Sequence, residues 1–226
     1  MATCINSSPV QRERGLLGQT VVVIGGSSGI GLETARLARA NGADIILTAR
    51  NPDRLHRAGL ELEASIAAFD ATDFARLGRF FDALPAPIDH LLVTGPGPCR
   101  APLAVFDLDA ARRDLDAHLL LPLQIARHSA GKIRPAGTLL FIGSTGGRRA
   151  AAGPALIAAI TAALPAMTRS LALEIAPVRV NLIAAGLAGT PRSAGRIAGP
   201  VDIAALAVHL MTNTAVTGAT FDIDRG

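Results

Sequence analysis

The stretch from Val21 to Gly31 reads VVVIGGSSGIG, and its reading decides the fold. Val21, Val22, Val23 and Ile24 form a β-branched run, as expected of a strand buried on both faces. Gly25, Gly29 and Gly31 follow, and Leu32, Leu37 and Ala38 then fall at helical spacing. Strand, glycine turn and helix in that order are the setting a dinucleotide site requires. Gly25 permits a tight turn, Gly29 lets a pyrophosphate approach the backbone, and Gly31 lets helix pack on strand. Ser27, Ser28 and Ile30 lie between them, where a helix N-terminus offers unpaired N–H groups to a phosphate. A plain tight turn between strand and helix would use the same glycines.

The spacing Gly-x-x-x-Gly-x-Gly is longer than the common dinucleotide fingerprint. It resembles the turn of the short-chain dehydrogenase/reductase family, with Ile24 where that family has threonine. The resemblance runs from about Leu16 to Gly226. It implies a doubly wound parallel sheet of about seven strands with helices on both faces, the fold that the alternating strand and helix patterns also indicate. Residues 15–226 then form a single dinucleotide-binding domain, and residues 1–14 a flexible tail.

Composition narrows the classes. Of 226 residues, 50% are hydrophobic but only 3% aromatic, so Leu, Ile, Val and Ala must fill the core. The net charge of +4 is not gathered into a basic cluster interleaved with aromatics, so no nucleic-acid partner is expected. Two cysteines, Cys4 and Cys99, are too few for a disulfide framework. The segment Met1 to Gln11 is polar and lacks the apolar centre of a signal peptide. Ala150 to Met167 carries no charged residue, but Gly153, Pro154, Thr161 and Pro165 interrupt it. A buried helix packed closely on a neighbour suits it better than a membrane span. The protein is expected to be cytoplasmic, with no membrane partner and no metal.

Down the chain, Ala43 to Thr48 reads as a second strand, with Ala49 and Arg50 at its end. Many dinucleotide enzymes place a carboxylate there to grip the ribose hydroxyls. Here no carboxylate repels a 2′-phosphate, and the Arg50 guanidinium can pair with one. The family resemblance of Ala49-Arg50-Asn51 implies NADP(H); a solvated arginine at a strand end is the alternative. Asn51 to Ser65 reads as a helix and Ser65 to Phe69 as a strand ending in Asp70-Ala71-Thr72-Asp73. In the family the first aspartate of this motif meets the adenine, which implies Asp70 and Ala71. Asp73 or Thr72 also suits a cap for a helix over Phe74 to Leu84. After the strand Ile88 to Val93, Thr94-Gly95-Pro96-Gly97 stands where the family has Asn-Asn-Ala-Gly, beside the adenosine ribose.

Asp109 is expected to cap a helix running to about His128. Its position matching a family asparagine is His118, and Pro122, four residues on, has no N–H for the His118 carbonyl. His118 is therefore a candidate acid, or a hydrogen-bonded structural residue. Gly137 to Ile142 reads as the strand that delivers Ser144, in the place of the family's catalytic serine. The family then carries Tyr-x-x-x-Lys, and the match of Thr168 to Glu174 sets the register: tyrosine becomes Ile157 and lysine becomes Thr161. The chain has no tyrosine, and its lone lysine, Lys132, precedes the serine strand. Val178 to Ala184 reads as the next strand, followed by Ala185-Gly186-Leu187-Ala188-Gly189-Thr190, which resembles the family's loop at the nicotinamide end. Gly186 and Thr190 are the implied contacts. The bridge from Thr190 to Pro200 is shorter than the family's usual lid.

Two functions follow from the resemblance. One is an NADP(H)-dependent oxidoreductase acting on a carbonyl or imine-like small molecule, with Ser144 orienting the substrate and His118 or water as acid. The other is a catalytically inactive NADP(H)-binding sensor or a subunit partnering an active relative. The family also implies a homodimer or homotetramer through the helices that hold His118 and Ile157.

Overall fold

Along β1 (Thr20–Ile24) successive side chains point to opposite faces of the sheet, and both faces are apolar. Val22 and Ile24 enter one core; Val21 and Val23 enter the other. A strand of this kind needs helices on both sides. The structure, a computed structural model, describes residues 15–97, 102–145, 155–186 and 198–223. The flexible tail expected for residues 1–14 lies outside them.

The remaining strands are β2 (Asp44–Ala49), β3 (Ser65–Ala68), β4 (Ile88–Val93), β5 (Ile133–Ser144), β6 (Arg179–Ala185) and β7 (Thr220–Ile223). They pair in parallel as one seven-stranded sheet, ordered β3-β2-β1-β4-β5-β6-β7. On one face α1 (Gly29–Ala40), α2 (Pro52–Leu62) and α7 (Pro200–Thr212) pack over Val23, Leu47, Leu140 and Ile183. On the other, α3 (Phe74–Ala83), α5 (Leu121–Ser129) and α6 (Ala155–Glu174) pack over Leu91, Phe141 and Leu182. Strand order reverses between β1 and β4, so the crevice for a ligand opens at the C-terminal ends of those two strands.

Helix starts follow local chemistry. Asn51 caps α2 by accepting from the Arg54 N–H at 2.8 Å, with Pro52 at the first helical position. Asp73 caps α3 in the same way, accepting from the Arg76 N–H at 3.0 Å. The helix expected from Asp109 to His128 is instead three pieces: α4 (Leu108–Leu115), a π-helical turn over Asp116–Leu120, and α5. Its cap is Asp107, not Asp109. Asp107 has extended backbone and its carboxylate accepts from the N–H groups of Asp109 and Ala110, whereas Asp109 sits inside the first turn and pairs with Arg112. The Leu121 N–H reaches back five residues to the Asp116 carbonyl. The wider turn suits Pro122, which has no N–H to continue the α-helical pattern.

Helix α6 is long and apolar enough to cross a membrane by length and composition. It lies on the sheet, however, burying Ile160, Leu164 and Leu171 in the core with β5 and β6. Its other side presents Ala155, Ala159, Ala162 and Ala166.

A polar row crosses the sheet near the N-terminal ends of the central strands. His90, Thr138 and Arg179 are register partners on β4, β5 and β6, and all three are buried. The Arg179 guanidinium donates to the Leu210, Met211 and Asn213 carbonyls at 2.7–2.8 Å, so a buried cation closes the C-terminus of α7. Beside it, Asp89 accepts from the Thr20 N–H and from Arg134. His90 Nε2 donates to Gln19 Oε1 at 2.7 Å, which leaves Nδ1 buried without a partner.

Burial, and then the charges of Arg179 and Arg134, push the His90 imidazole down to about 3. A histidine held neutral in the fold but protonated when unfolded contributes stability that is complete above the unfolded value of about 6.5 and is lost as pH falls toward about 3. Each pH unit in that window costs up to about 1.4 kcal/mol for this group. Urea unfolding from about pH 7.5 down to 5 is expected to show a shallower decline for His90→Gln than for the parent chain. Equal slopes would remove His90 as the cause.

Candidate functional site

The crevice is built from backbone before any side chain enters it. The Gly25 and Gly26 N–H groups donate to the Thr48 carbonyl at 2.9 and 3.0 Å, and the Thr94 N–H donates to the Ile24 carbonyl at 2.9 Å. The C-terminal ends of β2, β1 and β4 are thus tied at one turn. A Cβ on Gly25, whose φ is +89°, would lie 2.2 Å from the Thr94 carbonyl oxygen; one on Gly31 would lie 2.3 Å from the Gly25 carbonyl oxygen. These two glycines are steric requirements, and they bring the start of α1 down onto the ends of β1 and β4.

Gly29 differs from both. It has a φ of +55° and nothing within 4 Å of a Cβ position, so the backbone here faces open space. Ser28, the N-cap of α1, makes no side-chain capping bond, and the first turn carries no acidic residue. The α1 N-terminus therefore presents N–H groups and a partial positive charge uncompensated by its own cap, as an anion requires. Ser27 is half-buried, Ser28 exposed, and Ile30 packs partly against the core.

The other expected residues border this opening at the same edge of the sheet. Arg50 is exposed just past β2. Asn51 follows, with its Oδ1 engaged as the α2 cap. Asp70 lies just past β3, its Oδ1 accepting from the Thr72 N–H and hydroxyl at 3.0 and 2.8 Å; Ala71 packs partly against the core. Thr94, Gly95 and Gly97 follow β4, and Gly95 has nothing within 4 Å of a Cβ position. Gly186 closes β6, its N–H donating to the Ile223 carbonyl at 2.7 Å. Thr190 lies outside the described residues.

Ser144 is the last residue of β5, paired in register with Ala185 of β6, and it is half-buried. A Cβ on Gly143, just before it, would meet Leu164 of α6 at 3.2 Å. Because α6 runs back against the strands, its earlier residues Ile157 and Thr161 lie toward the edge where Ser144 ends. Both are buried. The Thr161 hydroxyl donates to its own helix, with the Ile157 carbonyl at 2.8 Å and the Ala158 carbonyl at 3.1 Å. His118 sits half-buried on the π-helical turn. Burial pushes its imidazole below the usual histidine range, against the opposing charge of Asp114. Near neutral pH it is therefore an uncharged ring that can accept or relay a proton but does not carry a spare one.

The π-helical turn was not anticipated from sequence, although Pro122 was its signal. Asn181 also gains a role: it is fully buried, donating to the Val216 carbonyl and accepting from the Ala219 N–H, so it fastens the turn before β7. Among the described residues no group of three His, Cys, Asp or Glu could hold a metal ion.

A family model described as Enoyl-(Acyl carrier protein) reductase matches residues 24–196. The chain belongs to the short-chain dehydrogenase/reductase family. Among its relatives is the short-chain dehydrogenase/reductase ATR9 of Stachybotrys chlorohalonatus, 28% identical over 92% of this chain and 96% of that protein. The structure of the MalC reductase/Diels-Alderase from Malbranchea aurantiaca superposes with a TM-score of 0.85 at 25% identity, covering 95% of this chain and 98% of MalC. The crystal structure of BdcA in complex with NADPH does so with a TM-score of 0.85 at 25% identity, covering 93% and 95%. As a member of the family, the chain is notable for containing no tyrosine at all.

The steric argument is open to a paired test. Gly25→Ala is expected to destabilise the fold by about 2 kcal/mol or more, through both the Thr94 contact and the positive φ. Gly95→Ala, with open space around it, should stay within about 0.5 kcal/mol of the parent. Chemical denaturation of the two variants side by side decides it; equal losses would discard the close-approach account.

Proposed function

We propose that this chain is an NADP(H)-dependent oxidoreductase acting on a small carbonyl or imine-like molecule. The observation that carries the proposal is the bare cradle at Gly29, set against an α1 N-terminus that has no side-chain cap and no acidic residue in its first turn. Ser27, Ser28, Gly29 and Ile30 would hold the pyrophosphate through backbone N–H groups and hydroxyls, on the turn that Gly25 and Gly31 make possible. Arg50 would pair with the 2′-phosphate, with the Asn51 amide beside it. Asp70 and Ala71 would meet the adenine, and Thr94, Gly95 and Gly97 the adjoining ribose. Gly186 and Thr190 would face the nicotinamide end. The complex of BdcA with NADPH, at 25% identity, supports the same cofactor.

When bound, the nicotinamide gives or takes a hydride. Ser144 would orient the substrate by hydrogen bonding, and His118 or water would pass on any proton. Holding two reactants in line supplies about 7–11 kcal/mol of barrier lowering, and acid–base assistance about 3–5 kcal/mol. A chain that keeps the first term and weakens the second remains an enzyme. The missing tyrosine and the self-bonded Thr161 hydroxyl favour a second reading, a catalytically inactive NADP(H)-binding sensor or partner subunit. We also propose a cytoplasmic homodimer or homotetramer, supported by the exposed Leu115, Leu120 and Leu123 and by the alanine side of α6.

Two measurements test these readings. By calorimetry, Arg50→Ala should weaken NADPH roughly 10- to 100-fold and leave NADH nearly unchanged, the scale of one charge-assisted contact. Equal effects would remove the 2′-phosphate assignment. NADPH oxidation should occur with a panel of ketones and imines and fall roughly 10²-fold or more in Ser144→Ala. Tight cofactor binding with no turnover on any of them would leave the non-catalytic reading.

A further inference from the structure

We propose that the substrate reduced at this site is an electrophile that already carries its positive charge, an iminium ion, rather than a neutral ketone or aldehyde. The proposal rests on the NADP(H)-dependent reading above and names its substrate class. It arises from the proton inventory at the C-terminal edge of the sheet.

Reduction of a neutral carbonyl places an electron pair on oxygen and requires a proton at that atom. An iminium requires none. Its carbon gains the hydride, the C=N π pair settles on nitrogen as a lone pair, and the product leaves as a neutral amine. The reductant is the dihydronicotinamide, which loses two electrons and one hydrogen as hydride. Atoms and charge balance without any acid.

Around Ser144 the described residues are poor acids. The chain has no tyrosine. Its one lysine, Lys132, lies at the other end of the sheet, where its carbonyl accepts from the N–H of Ile88 at the start of β4. Between Ile133 and Thr138, five residues of β5 pass only two of β4, and six more follow to Ser144. Lys132 is therefore roughly 30 Å of strand away from Ser144. The Thr161 hydroxyl is spent on the carbonyls of Ile157 and Ala158. Ile157, four residues before it, fills its place with a buried hydrocarbon. His118 is half-buried in a setting that favours the uncharged ring. Carboxylates are ordinarily ionised at neutral pH and accept protons rather than supply them.

The experiment compares N-methyl-3,4-dihydroisoquinolinium, a permanent cation, with α-tetralone, its neutral carbocyclic counterpart, using the full chain. NADPH binding is first measured by calorimetry. Deuterium from each C4-labelled NADPH epimer then separates enzymatic from background reduction, since only the former is stereospecific. The expected result is NADPH binding, with kcat/KM for the iminium at least about 100-fold above that for the ketone. Its rate should be flat between about pH 6 and 9, because the step itself takes no proton. Independently of turnover, N,N-dimethyl-tetrahydroisoquinolinium, which cannot be reduced, should bind the NADPH-loaded chain at least about tenfold tighter than tetralin. NADPH binding with ketone reduction equal or faster, with neither substrate reduced, or with no preference for the cation, overturns the substrate class. Absence of NADPH heat overturns the cofactor reading itself, and this proposal with it.

Discussion

The rest of the structure depends on the approach of one backbone to another where β1 ends. Gly25 and Gly31 have no room for a methyl group, because the carbonyls of Thr94 and of Gly25 itself stand in the way. That closeness sets α1 directly over the ends of β1 and β4 and aims its N-terminus across the point where strand order reverses. Packing at native density makes such an arrangement all-or-none: the turn is this tight or α1 does not seat. The anion-accepting geometry at Gly29 comes from the same constraint. Fold and site are therefore not separable here; the packing that closes one face of the sheet also opens the crevice.

Much of this was legible in the residues. The β-branched run and glycine spacing of Val21 to Gly31 announce β1 and α1, since local rules agree there with the global fold. The parallel sheet and both-faced helix cover follow from alternating patterns, and the cap at Asp73 from a short polar side chain at a helix start; the Asn51 cap was not read from the sequence. The failures have physical reasons as well. Asp107 and Asp109 are both good caps by type, and only the backbone reveals which stands outside the helix. The π-helical turn depends on how the chain accommodates Pro122 against tertiary packing, which periodicity does not report. The polar row of His90, Thr138 and Arg179 was invisible because its members are far apart in sequence and meet only through strand register.

The two ends of the sheet are handled in opposite ways. At the N-terminal end, charge is buried and answered: Arg179 meets three carbonyls closing α7, and Asp89 meets Arg134 and the Thr20 N–H. Leaving a buried charge unanswered costs several kcal/mol, so these contacts fix the strands relative to α7. At the C-terminal end, the α1 N-terminus lacks a side-chain cap and Gly29 and Gly95 face open space. A scaffold locked at one end can keep donors preorganised at the other without collapsing onto them.

That division bears on how a divergent member of this family could remain active. Positioning is carried by backbone: the glycine turn, the strand ends and the π-helical turn. Proton supply is carried by a few side chains, and these are the replaceable part. With a buried Ile157 and a self-bonded Thr161, α6 is seated on β5 and β6 because Ile160, Leu164 and Leu171 hold it there. On the proposed reading, the larger catalytic contribution, about 7–11 kcal/mol from alignment, would survive such a change, and the smaller, about 3–5 kcal/mol from acid–base assistance, would not. In a chain built this way, a substrate whose reduction asks only for alignment would be the one least affected by the change.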